Sequence, residues 1–422
     1  MKVAVVGLGY VGLPLALRFA QAGVSVLGLD IDEVKCASLN AGRSYIKHVP
    51  AAAIAEICAA GRLKATTDFA QAATVDAILI CVPTPLNKQQ EPDLSYVLGT
   101  GQSLAPHLRS GQLVVLESTT YPGTTDTELR TVLERGSGLV AGRDFHLAYS
   151  PERENPGSET EEARHIPKVV GGLTLECRAR AEACYAQAVE RVVPVSSCRA
   201  AEATKLLENI FRAVNIALVN ELKVVYSAMG IDVWEVIEAA KTKPFGFMPF
   251  YPGPGLGGHC IPVDPFYLAW KAREFGQSTR FIELAGEINA AMPAYVAGCV
   301  EKTLAARGRL LAGAHILLLG LAYKADVDDD RESPAYALIK LFEQSGATVA
   351  YHDPFVPVIR PTRDHPEYAG RRSVALAAEG YDVAVLVTAH AEFRRFDFSS
   401  WDIPLVDTRN CVSRPPKAYF RA

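Results

Sequence analysis

The sequence predicts an α/β fold of two open, doubly wound parallel-sheet domains, joined by a long central helix and a helical dimerisation region. Three observations predict it. From Lys2 to about Val195, short apolar runs alternate with amphipathic stretches, the pattern of a parallel sheet with crossover helices. Between about Ala200 and Ala305 that alternation stops and apolar residues recur at helical spacing. After Gly313 the alternation returns. The expected divisions are 1–198, 199–305 and 306–422.

In chain order, the first stretch offers strands at Val3 to Gly7, Val24 to Asp30, Ala77 to Val82, Leu113 to Ser118 and Val192 to Val195. In the middle stretch Leu206, Leu207, Ile210, Val214, Leu218 and Leu222 put apolar side chains along one long helix, a natural surface for a homodimer. The last stretch offers strand His315 to Gly320, helix Ala335 to Ser345, and strands Thr348 to Tyr351, Val383 to Thr388 and Pro404 to Asp407. That is a second, smaller open α/β domain. Arg414 to Ala422 holds prolines and basic residues and is expected to be a loosely held tail.

At 422 residues the chain is too long for a single domain of roughly 150 residues. An apolar fraction of 49%, a charged fraction of 21% and a net charge of -4 include neither a basic stripe nor an acidic tail, so nucleic acid is not an expected partner. The first strand begins at Lys2, which leaves no room for an export signal, and a cytoplasmic protein is expected. The most apolar long segment, Ala213 to Met229, is interrupted by Asn215, Asn220, Glu221 and Lys223, which argues against a membrane span. The nine cysteines are an odd number without CxxC or Cys/His spacing, so neither a disulfide framework nor a metal site is expected. Eight of them read as small buried hydrophobes.

Gly7-Leu8-Gly9-Tyr10-Val11-Gly12 follows the first strand and opens a helix, and Asp30 ends the next strand. The first glycine makes the tight turn, the second lets backbone approach a pyrophosphate, and the third allows close helix–strand packing. A glycine-rich turn alone is weak, but the strand, the helix start and the acid at the right spacing make this a Rossmann-like dinucleotide site. Asp30 is expected at the adenosine ribose. A 2′-phosphate about 4 Å from its carboxylate would cost roughly 4 kcal/mol per unit charge pair at an effective dielectric near 20, so NAD is favoured over NADP.

The run Gly253 to Pro265, GPGLGGHCIPVDP, is too poor in side chains to be core, yet it holds the thiol of Cys260 and the carboxylate of Asp264. Such a loop suits a ligand that must come close to backbone. Asp264-Pro265 reads as an N-cap followed by proline in the first turn, which puts Cys260 just before a helix N-terminus, where a thiolate is stabilised. For Asp264 a purely structural cap is a real contender; His259 has no evident partner. Lys205, Asn209 and Arg212 fall at i, i+4 and i+7 as a polar stripe on the long helix. Either a solvated face or a face turned to a site would account for it.

Taken together with Cys81-Val82-Pro83-Thr84-Pro85, Glu117-Ser118-Thr119-Thr120, Ser150-Pro151-Glu152-Arg153, Gly320-Leu321-Ala322-Tyr323-Lys324 and Arg331-Glu332-Ser333-Pro334, these motifs span essentially the whole chain. In them the sequence resembles the UDP-glucose/GDP-mannose dehydrogenase family, and within it the bacterial branch acting on UDP-N-acetylglucosamine. The resemblance implies that Cys260 is a covalent nucleophile, that Lys205 and Asn209 stabilise the oxygen at C6, and that Asp264 with Glu152 handles protons. Thr119 would position water. It further implies that Gly7, Gly9, Tyr10, Val11, Gly12, Asp30, Lys35, Val82, Thr84 and Thr119 hold NAD, with Arg331 reaching the cofactor. Glu152, Arg153, Lys205, Asn209, Arg212, Tyr251, Gly257, Gly258 and Lys324 would hold the sugar nucleotide.

The implied chemistry suits these side chains. Oxidising an alcohol to an acid removes four electrons in two hydride transfers; a thiol that captures the aldehyde prevents its escape, and an ammonium at Lys205 supplies charge where an oxyanion develops. The expected substrate is UDP-N-acetylglucosamine, for surface-polysaccharide synthesis, with the N-acetylmannosamine, N-acetylgalactosamine and glucose analogues as alternatives. Its motive is Thr242 to Pro252, TKPFGFMPFYP, an aromatic wall suited to an acetyl methyl. Glu154-Asn155-Pro156-Gly157 departs from the UDP-glucose members, so a second acid of that branch has no counterpart here. A 3-hydroxyacid-type dehydrogenase would share the Lys/Asn pair but explains neither Cys260 nor the second α/β domain. A nucleotide-sugar-binding regulator without turnover is the rival from another class.

Overall fold

The structure, a computed structural model, describes residues 1–46, 49–87, 91–153, 165–258, 261–361 and 365–422. It divides into two compact units, Met1–Glu208 with Phe266–Ser278, and Asn209–Pro265 with Thr279–Ala422.

The first unit is built on eight strands: β1 (Lys2–Val6), β2 (Ser25–Leu29), β3 (Leu63–Thr66), β4 (Ala77–Ile80), β5 (Leu113–Leu116), β6 (His146–Tyr149), β7 (Lys168–Gly172) and β8 (Val192–Val195). Their order is β3-β2-β1-β4-β5-β6-β7-β8. The central strands read as unbroken apolar runs because both faces are covered. Val3, Val5 and Leu79 enter one core with the helix Gly12–Gln21, while Ala4, Val6, Ile78 and Ile80 enter another on the opposite face. The order in which successive strands are added reverses between β1 and β4, which pair in parallel, and ligands bind at such switch points.

All the pairings are parallel except β6 with β7, where Ala148 faces Gly172 and Tyr149 faces Gly171. Neither strand of that pair was predicted. β7 ends in two glycines, and a Cβ on Gly171 would lie 2.1 Å from the Ser197 carbonyl oxygen, so packing dictates a residue that weakens the local strand signal.

The second unit holds β9 (His315–Leu319), β10 (Thr348–His352), β11 (Val383–Leu386), β12 (Leu405–Asp407) and β13 (Tyr419–Arg421), in the order β10-β9-β11-β12-β13 and all parallel. Its switch lies between β9 and β11. The C-terminus is not the loose tail expected from its composition: Leu405 pairs with Tyr419 and Asp407 with Arg421, and the Tyr419 hydroxyl donates to Asp407 at 2.8 Å. An edge strand of three residues is too short for periodicity to reveal.

The helical stretch contains the 31-residue helix Cys198–Ala228, followed by Val233–Lys241, Asp264–Glu274 and Arg280–Ala305. Leu206 is fully buried, whereas Leu207, Phe211, Leu218 and Val225 are exposed along the long helix. Among the described residues no helix is long and apolar enough to cross a membrane.

Candidate functional site

At the end of β1 the backbone turns through Gly7 with φ 88°, a region that only glycine enters without strain. A Cβ there would lie 2.7 Å from the Cys81 carbonyl oxygen, and one on Gly12 would lie 1.9 Å from that of Gly7, whereas one on Gly9 meets nothing within 4 Å. The outer glycines are thus dictated by packing, and the middle one leaves open space for a ligand. Tyr10 and Val11 are half-buried beside it. Asp30, 6% exposed, accepts from the Leu8 amide at 2.8 Å and the Asp32 amide at 3.0 Å, and Lys35 stands 3.6 Å away. The carboxylate therefore ties the end of β2 to the glycine turn and keeps lone pairs for a ribose hydroxyl. Open backbone, a helix start and an acid fit a dinucleotide.

Opposite Gly7 across the switch, Val82 accepts from the Ser118 hydroxyl at 2.7 Å and the buried Thr84 carbonyl accepts from Tyr267. Thr119, half-buried, follows Glu117, whose buried carboxylate is held by Lys168 and Tyr185. Beyond Thr119, the amides of Gly123 and Thr125 donate at 2.7 and 2.9 Å to Glu202 on the long helix. Burial pushes the Glu202 carboxyl up to about 7. Sequence reasoning missed Glu202, since an acid one turn before Lys205 looks like any helix-face charge.

The polar stripe resolves into two buried positions and one exposed. Lys205 is 6% exposed; its ammonium donates to the Glu152 carbonyl at 2.7 Å and stands 3.5 Å from the Glu152 carboxylate. One turn later Asn209, 5% exposed, donates to Asp264 at 2.5 Å, and Asp264 is 1% exposed. Arg212 is exposed. A solvated face does not account for Lys205 and Asn209. The Asn209–Asp264 bond ties Asp264 to another helix, which a capping role alone does not require. Arg153 is committed to the Pro167 carbonyl at 2.8 Å and to Glu208. The predictions for His259, Cys260 and Glu154 to Gly157 fall outside the described residues.

In the second unit a cavity of about 420 Å³ lies among residues that follow the carboxyl ends of β9, β11 and β12, where α/β sheets bind ligands. Tyr251 stacks on Trp234 at 6.0 Å and its hydroxyl donates to Glu238 at 2.6 Å. The buried Trp234 indole nitrogen has no hydrogen-bond partner among the described residues. Three cations, Lys324, Arg394 and Arg409, line the same space. Burial, and then the charge of Arg212, lower the Lys324 ammonium. Burial pulls the Arg409 guanidinium down to about 10; its Nε donates to the Val387 carbonyl at 2.8 Å, and among the described residues it forms no ion pair. Such a pocket is short of negative charge and offers an aromatic face, which suits a nucleoside diphosphate.

Of this lining, sequence reasoning found Tyr251 and Lys324 but missed Trp234, Glu238, Arg394 and Arg409. The available signal for Arg409 was its place just after a predicted strand. The glycines of the cysteine loop pack against protein: a Cβ on Gly253 would lie 2.4 Å from the Arg409 guanidinium, and those on Gly257 and Gly258 would lie 3.0 and 2.7 Å from the Tyr323 side chain. Arg331, placed at the cofactor by resemblance, forks onto Asp329 at 2.8 and 2.6 Å.

Residues 1–189 match the NAD binding domain of the UDP-glucose/GDP-mannose dehydrogenase family, residues 199–291 its central domain and residues 317–414 its UDP binding domain. The chain is 37% identical to the UDP-N-acetyl-D-glucosamine 6-dehydrogenase of Pseudomonas aeruginosa, over 93% of this chain and 92% of that one. It is 36% identical to an NDP-N-acetyl-D-galactosaminuronic acid dehydrogenase of Ralstonia solanacearum, over 97% and 96%. A solved structure of a UDP-D-ManNAc dehydrogenase from Pyrococcus horikoshii superposes with a TM-score of 0.89 at 35% identity, covering 100% of this chain and 98% of that one.

Proposed function

This chain belongs to the UDP-glucose/GDP-mannose dehydrogenase family, and we propose that it oxidises the C6 alcohol of a UDP-N-acetylhexosamine, UDP-N-acetylglucosamine first, to the carboxylate. It is an NAD-dependent UDP-sugar dehydrogenase. The observation that carries the substrate reading is the cavity in which Lys324, Arg394 and Arg409 stand beside the Trp234–Tyr251 stack. The uracil takes the aromatic end and the diphosphate the cations. We assign NAD to 1–198, the catalytic helices and the aromatic end of the UDP site to 199–305, and the cations of the UDP site to 306–422. The exposed Phe211, Leu218 and Val225 are the homodimer surface in this reading, and the product serves polysaccharide synthesis.

NAD, when bound, accepts a hydride in each of two oxidations. Glu152 or Asp264 takes the hydroxyl proton, and the carbonyl oxygen that forms at C6 is held by the Lys205 ammonium and the Asn209 amide. The Cys260 thiolate adds to the aldehyde to give a thiohemiacetal, whose oxidation yields a thioester. Water positioned by Thr119 attacks the thioester, the C–S bond breaks, and the acid and the thiolate are released. Each sugar thus takes up one water and yields two NADH.

The sugar preference rests on Thr242 to Pro252. Phe250 meets Phe211 edge-on at 5.6 Å, while Phe245 and Phe247 are exposed and form the wall assigned to the acetyl methyl. Arg153 engages Pro167 and Glu208 through its terminal nitrogens, but its buried Nε has no partner among the described residues, so either it or the loop backbone takes the acetamide. A site built to bind an amide leaves a polar group unpaired when glucose enters, which costs more than a missing methyl. In a panel read by NADH formation, UDP-N-acetylglucosamine should give the highest kcat/KM, ahead of UDP-N-acetylmannosamine, UDP-N-acetylgalactosamine and UDP-glucose. A lead for UDP-glucose overturns the N-acetylhexosamine reading, and no NADH with any of them would favour the regulator.

Arg409→Met should weaken UDP binding by about ten- to a hundredfold, the loss of roughly 1.5–3 kcal/mol for hydrogen bonds to a charged group. Calorimetry with UDP alone checks it; affinity unchanged from the wild type would move the diphosphate away from Arg409.

A further inference from the structure

Behind the wall of this cavity lies a buried pair that the reaction does not use. His390 and Asp353 have fully buried side chains, with His390 Nε2 3.0 Å from Asp353 Oδ2. The backbone amide of Asp326 donates to His390 Nδ1 at 3.0 Å. That nitrogen therefore carries a lone pair, the ring is neutral, and its proton sits on Nε2 and is donated to Asp353.

Asp353 in turn organises backbone. Its Oδ2 accepts from the amides of Leu321 and Ala322 at 2.6 and 2.8 Å, and its Oδ1 from those of Phe355 and Val356 at 2.7 and 2.9 Å. Burial raises the Asp353 carboxyl, but the bonds from His390, Ala322 and Leu321 outweigh it and hold the group below the usual range. Leu321 and Ala322 lead directly into Tyr323, Lys324 and Ala325, which line the cavity. At the far end of that loop Asp326 has φ 62°, an uncommon conformation for a residue with a side chain, and its carboxylate accepts from the Ala391 amide at 2.9 Å. The Thr388 hydroxyl, also from the cavity wall, donates to the Ala322 carbonyl at 2.6 Å. His390 thus grips both ends of one loop, and Phe355 stacks on its ring at 5.1 Å.

We propose that His390 is a positioning residue for nucleotide binding: through Asp353 and Asp326 it holds the 321–326 backbone in the one conformation that presents Tyr323 and Lys324 to a diphosphate. The proposal rests on the reading of the cavity as the UDP site. A loop ordered before the ligand arrives loses less freedom on binding, so affinity depends on groups the ligand never touches. His390 touches neither the sugar nor the cofactor, so its loss acts on UDP affinity and KM and leaves kcat and NAD affinity alone.

Two variants separate its contacts. His390→Asn keeps an acceptor near the Nδ1 position and loses the donor to Asp353; His390→Gln keeps a donor near Nε2 and loses the acceptor for Asp326. Each should weaken UDP binding about three- to tenfold, the worth of one neutral hydrogen bond, with KM for the sugar nucleotide rising in parallel. NAD affinity and kcat should stay within about twofold. UDP affinity within about twofold of wild type in both variants overturns the proposal, as does a parallel loss of UDP and NAD binding, which would mark His390 as general scaffold. If neither variant folds, hydrogen exchange on the wild-type protein without UDP decides: the amides of Leu321, Ala322 and Asp326, bonded to Asp353 and His390, should already be protected, and exchange there at unprotected rates overturns the proposal. A wild-type protein that binds no UDP removes the UDP reading of the cavity, and this proposal with it.

Discussion

Cys260→Ala should abolish net formation of the uronic acid while the fold and NAD binding survive. The first oxidation needs a proton acceptor and a place for the hydride, the roles proposed above for Glu152 or Asp264 and for bound NAD. The second needs carbon already bonded to sulfur, because an aldehyde bound without the thiol has no thioester to form. The helix that follows the cysteine loop begins at Asp264, and a thiolate held at a helix N-terminus is stabilised. Counting NADH per sugar consumed provides the check: two in the wild type, at most one in the variant, with aldehyde trapped by a hydrazine. Turnover to the acid at the wild-type rate would sink the covalent route.

Lys205→Ala should lower kcat by roughly 10²–10³, the loss that follows removal of one oxyanion donor. The structure sharpens this expectation, since Lys205 is 6% exposed and its ammonium is fixed by the Glu152 carbonyl at 2.7 Å. A charge so held needs no reorganisation when an oxyanion forms beside it. The substitution also takes a cation from beside the buried Glu152 carboxylate, and breaking a buried pair costs about 3–5 kcal/mol of stability. Melting temperature and UDP affinity must therefore be measured alongside turnover. A fall in kcat with UDP binding retained identifies the oxyanion role; a loss in kcat below about tenfold leaves Lys205 as a structural ion-pair partner.

Much of the candidate site was legible because its parts are local. The glycine turn, the helix it opens and Asp30 fall within one strand–helix–strand unit, so spacing alone predicts the geometry now seen at Gly7, Gly9 and Gly12. The i, i+4 relation of Lys205 and Asn209 likewise follows from helical pitch. Spacing could not tell a buried face from a solvated one, because that depends on what covers the helix: Glu152 against Lys205 and Asp264 against Asn209. Nor could spacing show that Gly257 and Gly258 of the cysteine loop also pack tightly on the Tyr323 side chain.

By itself the sequence determined the two α/β sheets, the helical stretch between them and the nucleotide-binding turn, since period-two and period-3.6 patterns record which faces are buried. Periodicity is silent on which edges meet and in which direction. The antiparallel seam of β6 and β7, the pairing of β13 with β12, the gathering of Trp234, Lys324, Arg394 and Arg409 around one cavity and the clamp of His390 on the 321–326 loop were decided only by tertiary structure. Each depends on residues far apart in the chain that become neighbours once the sheets close. Arg409 looks like an ordinary surface charge until the fold buries its guanidinium.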